Sequence, residues 1–214
     1  MKKTMLLNLL LAVALLWVSV SLVRLKSSQS AAPANAGEVV VSSLMSRTSI
    51  RRFTNQPVSS DTINLLLKAA MAAPTARNMQ PWHFVVVNDT AQIAALGKTS
   101  RHSGPLQTAT LVIAVCGDMD KTMEGDGQAF WIQDVSAATE NLLLAAHAVE
   151  LGAVWTGAYP IKDRVQAISE VLSLPETVVP LALVAIGYPA ESPQPKDKWK
   201  EENVSWNTFG GTNE

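Results

Sequence analysis

The sequence predicts one domain of alternating helices and short strands behind an apolar leader. Three observations carry this. Phe84 to Val87, Thr110 to Cys116 and Val178 to Ile186 are brief apolar runs rich in β-branched residues, the pattern of buried strands. Stretches of helical periodicity lie between them, the longest from Gln128 to Leu151. The chain has 214 residues, enough for one domain of ordinary size plus the uncharged segment at its front.

In chain order, Met5 to Val23 carries no charge, consists mostly of Leu, Val and Ala, and follows the basic start Met1-Lys2-Lys3. Its length lies between a signal-peptide core and a minimal transmembrane helix. The expectation is a membrane anchor or signal segment over residues 1–26, with a Ser- and Ala-rich linker over 27–37 and one domain over 38–214. The domain would then be held at a membrane by the N-terminal helix. If the segment is cleaved, at Ala34-Asn35-Ala36 for example, the domain would be exported to the periplasm.

Within the domain, Val39 to Met45 predicts a short helix. Ser59-Ser60-Asp61 can cap a helix over Thr62 to Ala72 that ends before Pro74. Ala91 to Leu96 and Ile161 to Leu172 read as helices. The Gln128 helix has apolar positions at Val135, Ala138, Leu142, Ala145, Ala146 and Val149, with Gly152 as its expected stop. So small-faced a helix is either the centre of a core or half of a subunit interface.

Charge and motif content exclude several classes. Residues 1–36 hold four of the 17 basic residues and none of the 18 acidic ones, so residues 37–214 carry 13 basic and 18 acidic, a net −5. A nucleic-acid-binding domain leans the other way. The histidines His83, His102 and His147 are scattered, no HExxH or Cys/His spacing suggests a metal, and there is no GxGxxG turn. The acidic stretch Asp118, Asp120, Glu124, Asp126 lacks a calcium-loop pattern and reads as a solvated loop. The single cysteine, Cys116, lies in an apolar run and is expected as a small buried hydrophobe.

Two segments carry chemistry. Arg47-Thr48-Ser49-Ile50-Arg51-Arg52-Phe53 alternates cations with a hydroxyl, so an extended backbone turns Arg47, Ser49 and Arg51 to one face, as a phosphate requires. Arg52 then faces the other way. Ala73-Pro74-Thr75-Ala76-Arg77-Asn78-Met79-Gln80-Pro81-Trp82 crowds amides, a hydroxyl and a guanidinium between prolines, suited to the hydrogen-bonding edge of a flat heterocycle. Late in the chain Lys196, Lys198 and Lys200 alternate, and a phosphate would gain from a further cation there.

These segments, with Leu151-Gly152-Ala153-Val154-Trp155-Thr156-Gly157 and Ile186-Gly187-Tyr188-Pro189, resemble the nitroreductase family of FMN-dependent oxidoreductases. The similarity runs from about residue 43 to 206. It implies an α+β fold, with a mixed, mainly antiparallel sheet flanked by helices, in an intertwined homodimer with FMN at the interface. By position, Arg47, Ser49 and Lys198 meet the phosphate and ribityl chain, with Lys196 a further candidate and Thr48 counted among the cofactor-binding residues. Arg51 approaches the N1–O2 side of the ring, Thr75 and Asn78 line the flavin, and Thr156 and Gly157 lie near its N5 edge. Lysine at 198, where the family often has arginine, keeps the charge but weakens planar contact.

The expected activity is hydride transfer from NADH or NADPH through FMN to a small electron-poor acceptor such as a nitroaromatic or quinone, with ping-pong kinetics and no catalytic side chain. Dehalogenation or dehydrogenation on the same fold, or a non-catalytic membrane-associated FMN-storage module, are the alternatives. No metal is expected.

Overall fold

A computed structural model describes residues 35–212. The chain divides into two compact units, residues 1–42 and 43–214. The anchor or signal segment over 1–26, with its apolar run over 5–23, and residues 27–34 of the expected 27–37 linker, including Ala34 of the candidate cleavage site, lie outside the described residues.

The described elements are α1 (Ala36–Ser46), α2 (Ser60–Met71), β1 (Trp82–Val87), α3 (Thr90–Leu96), β2 (Leu111–Asp118), α4 (Phe130–Ala148), β3 (Gly152–Gly157), α5 (Lys162–Leu172) and β4 (Val178–Gly187). The strands form one sheet in the order β1-β2-β4-β3, and all three pairings are antiparallel. This is the α+β architecture, with a sheet that is antiparallel throughout the described strands.

Strand β2 shows why continuous apolar runs become central strands. Leu111, Ile113 and Val115 enter one core with Leu66 of α2 and Val135, Ala138 and Leu142 of α4. Val112, Ala114 and Cys116 enter a second core with Ile93 and Leu96 of α3 and Ile168 of α5. Alternate side chains point to opposite faces, so a sheet covered on both sides is apolar at every position. Pro180 interrupts the other central strand, β4, without breaking it. It sits where the β2–β4 register shifts between Val115 and Cys116, and a bulge is where a strand tolerates a residue lacking an N–H.

Burial in that second core pushes the Cys116 thiol up to about 12, because a thiolate there would lose its water. The folded protein should therefore leave Cys116 untouched by iodoacetamide at pH 8 and expose it on denaturation. Rapid labelling of the folded chain would contradict this placement.

The helix ends follow the sequence with two corrections. Ser59 caps α2 by accepting a hydrogen bond from Thr62 N–H, as expected. Helix α4 stops earlier than predicted, with Val149 as its cap, and Glu150 takes the left-handed turn (φ 62°). Gly152 is not the stop; it opens β3, a strand the apolar pattern did not predict. That strand is short and has glycine at both ends, which weakens the β signal.

The membrane-anchored or exported placement expected from the front of the chain is also corrected. No helix of the described residues is long and apolar enough to cross a membrane. The longest, α4, carries Gln133, Asp134, Glu140, Asn141 and His147 along its length.

Candidate functional site

Two glycines fix the basic segment to the sheet. Gly152 and Gly187 are register partners on β3 and β4. A Cβ at Gly152 would stand 2.6 Å from Ile50 Cβ, and one at Gly187 would stand 3.1 Å from Phe53 Cβ. Ile50 and Phe53 are both buried there. Backbone bonds add to the anchoring: Ile50 N–H donates to Ala153 O (3.1 Å), Thr54 N–H to Tyr188 O (2.8 Å) and Ala190 N–H to Arg52 O (2.9 Å). Gly152→Ala should cost about 1–3 kcal/mol by overpacking Ile50. A urea midpoint equal to wild type would show that the notch can give way.

Held in this way, the segment turns Arg47, Thr48, Ser49 and Arg51 to one groove of about 520 Å³, whose opposite wall includes Lys196 and Lys198. The strict alternation expected is relaxed, since Thr48 faces the groove too. Arg47 is the best-fixed cation: its side chain is 18% exposed and its Nε lies 3.4 Å from Glu140. Arg52 faces away and pairs with Glu191 at 3.0 Å. The hydrogen bond from Arg51 N–H, followed by that from Arg52, holds the Glu191 carboxyl below its usual range. A depressed pKa contributes above the ordinary carboxylate range and is lost as pH falls through the lowered value. Asp197, the one carboxylate lining the groove, accepts from Trp199 N–H at 2.9 Å.

Arg51 is shared with an adjoining groove of about 500 Å³. Thr156 and Gly157 line this second groove at the end of edge strand β3. A Cβ built on Gly157 would meet nothing within 4 Å, so the surface there is bare backbone that a flat group can approach. Four cations, two hydroxyls and a bare strand end, bridged by one arginine, fit a phosphate with a ring attached.

Thr75 and Asn78 are not brought to either groove within one chain. They lie on the turn between α2 and β1, which is strained: Arg77, Asn78 and Gln80 have φ of 50°, 57° and 51°. Such non-glycine conformations cost about 1–3 kcal/mol each and persist only where the surroundings enforce them. Gln80 N–H donates to Thr75 Oγ1 (3.2 Å) and Gln80 Nε2 to Asn78 Oδ1 (3.0 Å). The Asp134 carboxylate, buried on α4, accepts from Ala76 N–H at 2.9 Å. Asp134, Glu140 and Glu191 were not singled out from sequence. An acid on the buried stripe of α4, between Trp131 and Ala138, was the available signal for the first.

The arrangement defines an α+β protein organised around a cationic groove beside a bare strand end. Residues 44–105 and 98–188 match the model of the Nitroreductase family, and the chain belongs to that family. It is 38% identical over 165 residues to a Methanothermobacter thermautotrophicus protein provisionally named NADH dehydrogenase/NAD(P)H nitroreductase, covering 77% of this chain and 85% of that one. A crystal structure from Bacteroides thetaiotaomicron, with the same provisional name, is 37% identical (TM-score 0.75, 80% of this chain, 98% of that chain). An FMN-dependent nitroreductase of Clostridium difficile is 26% identical, with TM-score 0.73 over 79% of this chain and 99% of that chain.

Proposed function

We propose that this chain is an NAD(P)H-dependent FMN oxidoreductase acting on small electron-poor acceptors. The observation that carries the reading is Arg51, a single guanidinium common to the cationic groove and the Thr156–Gly157 groove. Arg47, Ser49, Lys196 and Lys198, with Thr48 beside them, would hold the phosphate and ribityl end. Thr156 and Gly157 would face the ring. When bound, FMN supplies the hydride chemistry, accepting from NADH or NADPH and donating to a nitroaromatic or quinone. Arg51 would act electrostatically, its positive charge favouring the reduced form of a cofactor bound across the two grooves. Donor and acceptor would use one open face in turn, which gives ping-pong kinetics. No side chain is assigned an acid–base step.

The second part of the reading is a homodimer. Thr75 and Asn78 reach neither groove in their own chain, yet their turn is held in a strained conformation. A second copy would bring that turn to the flavin. Large apolar side chains are also exposed: Met45 at 73%, Trp199 at 72% and Phe209 fully. Burying such residues is the usual source of subunit association. Light scattering should give about twice the chain's 22.9 kDa. A monomeric mass for flavin-loaded protein would remove Thr75 and Asn78 from the site.

The visible spectrum of the purified protein tests the function. The expected result is a yellow protein that bleaches with NADH or NADPH under anaerobic conditions and recovers its colour on adding an acceptor. A colourless protein that also fails to take up added FMN would sink the flavin reading. A yellow one that neither nucleotide reduces would favour cofactor storage.

A further inference from the structure

The second groove holds more positive charge than a flavin ring uses. Besides Arg51 it is lined by the guanidinium groups of Arg101 and Arg164, with the His102 imidazole beside them, and no carboxylate lines it. Arg164 is held in place by donating from Nη1 to Gly157 O at 3.2 Å, so its charge stands at the bare strand end. Arg101 and His102 come from the loop after α3. Ser103, next along that loop, is 1% exposed, and its Oγ has no hydrogen-bond partner among the described residues. An oxidised flavin ring is neutral, and Arg51 alone matches the one negative charge gained at N1–O2 on reduction. Like charges crowded around a groove repel one another, and an anion relieves that repulsion.

We infer that Arg101, His102 and Arg164 form a subsite for an oxyanion, carboxylate or phosphate, carried by a reactant that docks in this groove beside the ring. The inference rests on the flavin reading for which reactant is meant, but the subsite itself depends only on this cluster. Planar guanidinium groups suit carboxylate and phosphate, and charge-assisted bonds at a partly open groove discriminate chiefly by charge. The oxyanion could belong to a carboxylated acceptor or to the extra phosphate that separates NADPH from NADH.

The test uses the full-length, FMN-loaded protein with 4-nitrobenzoate and its neutral analogue 4-nitrobenzamide. Binding is read by quenching of tryptophan fluorescence, independently of turnover, and kcat/KM is measured in parallel for both acceptors and for NADPH against NADH. Wild type should favour the carboxylate, or NADPH, by about tenfold at low salt. The preference should fade at 1 M salt, where screening is nearly complete. Arg101→Gln with Arg164→Gln should abolish it with flavin content unchanged, and Arg164→Lys should restore part of it. Loss confined to 4-nitrobenzoate assigns the oxyanion to the acceptor; loss confined to NADPH assigns it to the donor.

Equal handling of charged and neutral partners by flavin-loaded wild type overturns the inference. So does loss of FMN from the double variant, which would give these arginines to the cofactor. A wild type that binds no FMN yet still prefers 4-nitrobenzoate would instead overturn the flavin reading and leave the subsite standing.

Discussion

Replacing Arg47 and Ser49 together by alanine should strip FMN from the protein, weakening its binding by about 10²- to 10⁴-fold. Hydrogen bonds to a charged group are worth about 1.5–3 kcal/mol each, and each 1.4 kcal/mol is about a factor of ten. Arg47 should account for more than half of the loss. Its side chain is 18% exposed, whereas Arg51 is exposed, and Glu140 at 3.4 Å fixes its guanidinium before any ligand arrives. Removing the arginine also leaves the charge of Glu140 unopposed behind the groove wall, which adds repulsion. Glu140→Gln should therefore act in the opposite direction and partly rescue Arg47→Ala. Fluorescence titration of FMN into apoprotein measures each of these variants and the Arg47→Ala/Glu140→Gln combination. Unchanged affinity in the double variant would refute the phosphate assignment.

Asp134→Ala is expected to cost about 1.5–3 kcal/mol of stability, the loss of a charge-assisted bond from a buried side chain to a half-buried backbone N–H. The effect should be local as well as global. Ala76 N–H loses its acceptor, and the turn carrying Arg77, Asn78 and Gln80 loses the tie that holds it in the left-handed region. Hydrogen exchange should then show the 75–80 backbone opening ahead of the sheet. Asp134→Asn keeps an oxygen at the same place and should recover most of the loss. If both variants unfold at the wild-type urea midpoint, the carboxylate is not what restrains the turn. In a dimer that shares the site, Asp134→Ala should also reduce flavin retention, although Asp134 lines neither groove.

Much of the fold was legible because burial writes itself into period and run length. Phe84–Val87 and Thr110–Cys116 gave strands within two residues of β1 and β2, and Ser59 gave the α2 cap, because those choices are local. Strand β3 was missed since its two glycines answer to Ile50 and to an open face, neither of which is near in sequence. The site divides in the same way. Arg47, Thr48, Ser49 and Arg51 could be grouped from adjacent positions, whereas Lys196 and Lys198 joined them only because the chain after β4 returns along the groove.

The sequence by itself determined the residue chemistry: a run of cations and hydroxyls, a proline-framed turn, apolar runs for the sheet, and the family to which these belong. Only the tertiary structure decided how they meet. Partnered Gly152 and Gly187 form the notch that seats Ile50 and Phe53 and so aims Arg51 between two grooves. It also withheld Thr75 and Asn78 from those grooves, and it gathered Arg101, His102 and Arg164 from separate elements into one basic surface. The physical reason is that local sequence governs backbone preference and polarity, while proximity between distant residues follows from packing, which no single segment encodes.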